Sequence, residues 1–172
     1  MRLKNTHWMR LALPTFLALI LFLISTTNYL LFHLLAELFA VFIAFLCGMV
    51  AWNTYSFSRN SYILFIGIGY IWVGILDLIH AAAFPGMNLL DMGSTNTSAQ
   101  IWLVSRYLEA TILLTSSFFL KRHFNQYYAI FLIGFICSVS LLSIRFGFFP
   151  NAFIEGEGLT SFKIYHCCPV NF

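Results

Sequence analysis

Charge is what this sequence has least of. Asp, Glu, Lys and Arg make up only 9% of its 172 residues, against about 25% in soluble globular domains. A chain so poor in charge cannot solvate an ordinary protein surface. Its net charge of +3 is small and its basic residues are dispersed, which excludes a nucleic-acid binder. Cysteine is scarce and badly spaced for chemistry: Cys47, Cys137, Cys167 and Cys168 form no CxxC pair and no zinc-ligand pattern. The first two lie in apolar segments and read as small buried thiols. HExxH, HxxH and CxxCH are all missing, so no metal-hydrolase or haem-attachment signature is present. Nor is there a Ser/Gly-rich linker, an internal repeat or a stretch that reads as a soluble domain.

What is present is hydrocarbon-compatible sequence. Hydrophobic residues make up 60% of the chain, and apolar runs of about 20 residues, the length that crosses a bilayer, recur along it. The expected spans are roughly Trp8–Thr27, Leu30–Ala51, Tyr62–Phe84, Ile101–Leu120 and Tyr128–Phe148. The fold expected is therefore an all-α, polytopic helical transmembrane bundle of about five spans, an integral membrane protein with lipid as its solvent. The first span has the shortest fully apolar part and carries Pro14 near its start. Arg2, Lys4 and Arg10 before an apolar stretch resemble a signal peptide, but "FLISTTNYLLF" has no A-x-A-like cleavage site. It reads instead as an anchor helix turning tightly at "TTNY". Arg2, Lys4, Arg10, Arg59, Lys121 and Arg122 fall on one side of these spans, while the loop "PGMNLLDMGSTNTSAQ" has neither Lys nor Arg. By the positive-inside bias the N-terminus is expected in the cytoplasm, and the loop after Phe84 and the segment "FPNAFIEGEGLTSFK" outside.

Against this background the few intramembrane ionisable residues stand out. His33 and Glu37 lie in the second span, Asp77 and His80 in the third, Arg106 and Glu109 in the fourth. Spacings of three or four put each pair on one helix face. At 1.5 Å per residue they fall roughly 5 to 12 Å below the outer surface. A charge at mid-bilayer costs about 2.5–3.5 kcal/mol even on the lenient scale, so three polar faces at one depth are expected to turn toward one another. Arg106 would then neutralise one or two of Glu37, Asp77 and Glu109. The bland alternative is interhelical glue, worth about 0.6 kcal/mol per hydrogen bond on average. As chemistry, His33, His80 and Glu37 suit a transition metal, and two histidines on facing helices suit a haem. A small organic or lipid-like ligand is the third possibility. Cofactor identity stays unknown at this point.

Softer features complete the reading. Gly67, Gly69 and Gly74 in "GIGYIWVG" let helices approach closely. Trp52, Tyr55, Tyr62, Trp102 and Tyr107 fit an interfacial aromatic belt. Glu155 and Glu157, flanked by Gly156 and Gly158, lie in a segment free to fold back over the bundle, as a lid or simply as a loop.

The blocks "FHLLAELFAVFIAFLCGMVAWNTYSF", "SYILFIGIGYIWVGILDLIHAAAFPGM", "QIWLVSRYLEATILL" and "FFPNAFIEGEGLTSFKI" resemble the third membrane-associated sensor family of bacterial signalling proteins, in order and spacing, from about Phe32 to Ile164. That resemblance implies a membrane input domain of the kind that precedes histidine kinases, diguanylate cyclases or phosphodiesterases. It implies the bacterial cytoplasmic (inner) membrane as the location. The family's polar positions fall on His33, Glu37, Asp77, His80, Arg106, Glu109 and Glu155, which adds Glu155 as a lid residue. Members continue with further apolar spans, a linker and an output domain, whereas here "YHCCPVNF" follows. The domain expected is thus 1–164, lacking the family's last spans, with an atypical tail at 165–172 and a truncation, such as a frameshift near Lys163, as its origin.

The function expected is a non-enzymatic signal-input domain. It would bind a small molecule or metal among His33, Glu37, Asp77, His80, Arg106, Glu109 and Glu155, in the outer half of the membrane, with membrane lipid and a second copy of the chain, as a homodimer, as its other expected partners. A metal- or haem-binding membrane enzyme or redox protein is the alternative, with Glu37 or Glu109 as base. A transporter or proton-relay subunit needs a polar path to the cytoplasm, and the inner halves of these spans offer none.

Overall fold

The computed structural model describes residues 3–87, 89, 94–154, 156 and 158–160, without the side chains of residues 3–11 and 13. The described residues are mostly helical, with one small hairpin among them. Helix α1 runs Leu3–Thr27, α2 Tyr29–Ser58, α3 Ser61–Ala82, α4 Thr95–Ser116 and α5 Gln126–Arg145. A single 3₁₀ turn, Ser117–Leu120, extends α4, and strands β1 (Phe153–Ile154) and β2 (Gly158–Leu159) follow α5. Two compact units are distinguished, Met1–Ala36 and Glu37–Phe172, with the boundary inside α2.

Among the described residues four helices are long and apolar enough to cross a membrane: Tyr29–Ser58, Ser61–Ala82, Thr95–Leu120 and Gln126–Arg145. The fifth expected span falls on α1, whose described apolar part, Pro14–Thr27, is shorter than a full crossing; Lys4, His7 and Arg10 interrupt the sequence before it. At "TTNY", where a tight turn is expected, the helical hydrogen bonding runs up to Asn28 and on from it, Asn28 N–H to the Ile24 carbonyl and Phe32 N–H to the Asn28 carbonyl. Only Asn28 separates α1 from α2, and its side-chain oxygen caps α2 by accepting from Leu31 N–H at 3.0 Å.

Local chemistry sets the helix ends. Arg59 terminates α2 in the left-handed region, at φ 50°, a conformation that costs a non-glycine residue about 1–2 kcal/mol. Its amide nevertheless bonds back to the Tyr55 carbonyl at 3.0 Å, and its guanidinium lies 5.8 Å from the centre of the Tyr55 ring. Asn60 then caps α3 at Ile63 N–H, Ser94 caps α4 at Thr97 N–H, and Asn125 caps α5 at Tyr127 and Tyr128. Helix α4 begins at Thr95, well over a turn before the expected start at Ile101. The polar run "TNTSAQ" is helical although it is not lipid-like.

Helix α3 is the centre of the second unit. Leu64, Ile68, Val73 and Leu76 of α3 share a core with Leu108 and Ile112 of α4 and Ala129, Ile133 and Cys137 of α5. Lipid tails are as apolar as leucine, so helices associate through close packing rather than hydrophobic drive. Gly67 allows that approach: a Cβ there would run into the Ala51 methyl on α2. Large side chains such as Phe42, Leu114, Phe131 and Phe135 point outward, as lipid-facing residues do.

The hairpin pairs Phe153 with Leu159 and Ile154 with Gly158. Two side chains of α4 dock the chain around it. Asn96 Oδ1 accepts from Ala152 N–H (2.8 Å) and Phe153 N–H (3.0 Å), while its amide donates to Asn151 Oδ1 at 3.1 Å. Gln100 donates to the carbonyls of Phe149 and Pro150. Ala152 is fully buried against Ala99 and Leu103.

Candidate functional site

The polar faces of α3 and α4 meet where α3 ends and α4 begins. Asp77, only 3% exposed, accepts from Ser105 Oγ at 2.7 Å and from Arg106 Nη2 at 2.7 and 2.5 Å. Arg106 Nη1 reaches Glu109 Oε2 at 2.7 Å, and Tyr70 Oη donates to Glu109 Oε1 at 3.0 Å. One guanidinium thus holds two carboxylates, one from each helix, and each carboxylate has a hydroxyl donor as well. Charge-assisted bonds of this length are the strong kind.

One turn further along α3 lies the buried His80. Its Nδ1 sits 2.9 Å from the Ser98 carbonyl and 3.0 Å from Ser98 Oγ. Its Nε2 faces Glu37 Oε1 of α2 at 3.8 Å. Glu37, Asp77, His80, Arg106 and Glu109 therefore form one polar cluster of three helices. Arg106 pairs with Asp77 and Glu109.

His33 stands one turn before Glu37 in the first turns of α2, half-buried, its ring stacked on Tyr29 at 6.2 Å between centroids. It belongs to the first compact unit. Glu155 lies outside the described residues, as does the tail from residue 161 onward. The lid expected of Glu155 thus lies outside the described residues too; what is described is β1 and β2 on either side of it, with Asn96 and Gln100 bonded to the chain at and before β1.

Tyr70, Ser98 and Ser105 are the members that the ionisable residues alone did not reveal. Their signal is helical spacing: Tyr70 precedes Asp77 by two turns, and Ser98 precedes Ser105 by the same interval, so each shares the cluster-facing stripe of its helix.

A family model for a membrane-associated sensor domain, MASE3, matches residues 24–168, a range that includes every residue of the cluster. No curated protein matches the chain, and no solved structure does.

Proposed function

This chain belongs to the membrane-associated sensor domain family, and we propose that it receives its signal at the Glu37–Asp77–His80–Arg106–Glu109 cluster. The observation that carries this reading is Arg106, shared between Asp77 of α3 and Glu109 of its own helix. A ligand that competes for the guanidinium, or for either carboxylate, exchanges one pairing pattern for another and changes how α3 packs on α4. The ligand moves that equilibrium only by its differential affinity for the two packings. The role is that of a non-catalytic input domain: helix packing is its output. His33, one turn from Glu37 on a continuous helix, joins the proposal on sequence spacing, and Glu155 joins it on the family pattern.

Orientation belongs to the same proposal. Arg59, Lys121 and Arg122 lie at the end of the second unit opposite the cluster, which favours that end in the cytoplasm and the cluster in the outer half of an inner membrane.

The test is a distance measurement between spin labels on α3 and α4 in the full chain reconstituted in lipid nanodiscs. Asp77→Asn removes half of the Arg106 pairing and should shift the distribution or add a second population. An unchanged distribution with merely lower stability makes the cluster glue.

A further inference from the structure

At the end of the second unit opposite the cluster, two connections lie side by side. Residues 59–60 join α2 to α3, and residues 121–125 join the 3₁₀ turn to α5. Both run directly between helices long and apolar enough to cross a bilayer, which keeps them at the depth of the lipid headgroups. The hydrogen bond between Ser61 Oγ and His123 Nδ1, 3.0 Å long, holds the start of α3 against the α4–α5 connection. It brings Arg59, two residues before Ser61, onto one rim with Lys121 and Arg122, which immediately precede His123.

These three cations have no counter-charge within the chain. All are exposed, and among the described residues none of them pairs with a carboxylate. No acidic residue falls between positions 38 and 76 or between 110 and 154, so the turns that meet at this rim carry none. Arg59 adds a second observation. It sits at φ 50°, where glycine would fit without steric cost, yet the position holds a cation. Its neighbours supply a third: Phe57 is 91% exposed, and Phe118 and Leu120 are exposed beside Lys121. Cations interleaved with exposed apolar side chains match an amphiphile, phosphate against the one and acyl chain against the other. A soluble anion would leave the apolar half unused.

We propose that Arg59, Lys121 and Arg122 bind the phosphate of an anionic phospholipid, with Phe57, Phe118 and Leu120 against its acyl chains. The inference does not rest on the polar cluster being the input site; it needs only that this rim lies at a membrane surface. Failure of either reading leaves the other standing.

The test titrates the delipidated full chain, in nonionic detergent, with phosphatidylglycerol or with phosphatidylcholine of identical acyl chains, and counts bound lipids by native mass spectrometry. Phosphatidylglycerol should bind at least about tenfold more tightly, since each cation near an anionic lipid contributes about fivefold. Arg59→Gly removes one cation while suiting the left-handed backbone, and should lower that preference about fivefold. Adding Lys121→Gln and Arg122→Gln should abolish it, whereas Arg145→Gln, at the opposite end, should leave it intact. Should the triple variant fail to fold, Arg59→Gly and the wild-type comparison still decide. Equal binding of the two lipids, or an undiminished preference in Arg59→Gly, overturns the proposal. An equal loss in Arg145→Gln also overturns it, because the preference would then belong to overall charge and not to this rim. Inorganic phosphate that displaces phosphatidylglycerol at equal concentration would make the ligand a soluble anion and overturn the lipid.

Discussion

Asp77 is only 3% exposed, and Ser105 and Arg106 both donate to it. Arg106→Gln strips the counter-charge and leaves the carboxylate buried. Breaking one half of a buried pair costs about 3–5 kcal/mol; the low end is expected, because the Arg106 side chain is itself 37% exposed. Replacing both partners, Asp77→Asn with Arg106→Gln, should recover only part of that loss, since the unpaired charge at Asp77 is gone while Glu109 still lacks the guanidinium it shared. Unfolding of the single and double variants in mixed micelles measures the coupling, and purely additive losses would show that the pair is not a unit. The ionisable members of the cluster were legible in the sequence because charge in an apolar run is conspicuous. Tyr70, Ser98 and Ser105 were not, for a physical reason. Hydroxyls in membrane helices commonly bond the carbonyl a turn earlier on their own helix, as Thr111 does to Tyr107 and Ser138 to Gly134. Nothing in residue type separates Ser105, which faces Asp77, from Ser138, which faces its own backbone.

At the scale of elements, the start of α4 shows what an apolar-run reading measures. Such a reading finds the lipid-solvated part of a helix, whereas the helix itself is set by its cap and backbone bonding. Ser94 therefore starts α4 at Thr95, and the polar turns it adds are the ones that carry Asn96, Ser98 and Gln100. These turns connect the hairpin to the cluster: Ser98 orients His80, while Asn96 and Gln100, on either side of it in sequence, hold the chain at residues 149–153. Sequence spacing gave no hint of that docking, because a contact between residues 96 and 152 depends on how the helices pack. Asn96→Ala removes the acceptor for two backbone N–H groups and the donor to Asn151. At about 1 kcal/mol per lost hydrogen bond, amide exchange at Ala152 and Phe153 should quicken by tenfold or more, with the α3–α4 core unchanged. Exchange as slow as in the wild type would mean that burial of Ala152, rather than Asn96, secures the hairpin.

At the scale of the whole second unit, the four spans have two chemically different ends. Ser61 Oγ and His123 Nδ1, 3.0 Å apart, join the α2–α3 and α4–α5 connections at one end, which also carries Arg59, Lys121 and Arg122. Asn96 and Asn151 join the α3–α4 connection to the post-α5 segment at the other end, where Arg145 is the basic residue among those described. These two hydrogen-bonded junctions make the placement of each loop a property of the fold rather than of loop composition alone, so labelling one loop reports on its neighbour. With the native cysteines replaced by serine, His123→Cys should resist a membrane-impermeant maleimide on intact cells and react after lysis. Asn151→Cys should react from outside. Protection of Asn151→Cys with labelling of His123→Cys would invert the domain and place the cluster in the cytoplasmic half. Any signal would then have to come from inside the cell, and the extracellular route to the cluster would be excluded while its pairing chemistry stayed intact. Labelling of both positions from outside would contradict the four-span arrangement itself, because the single crossing of α5 must leave its two ends on opposite sides of the membrane.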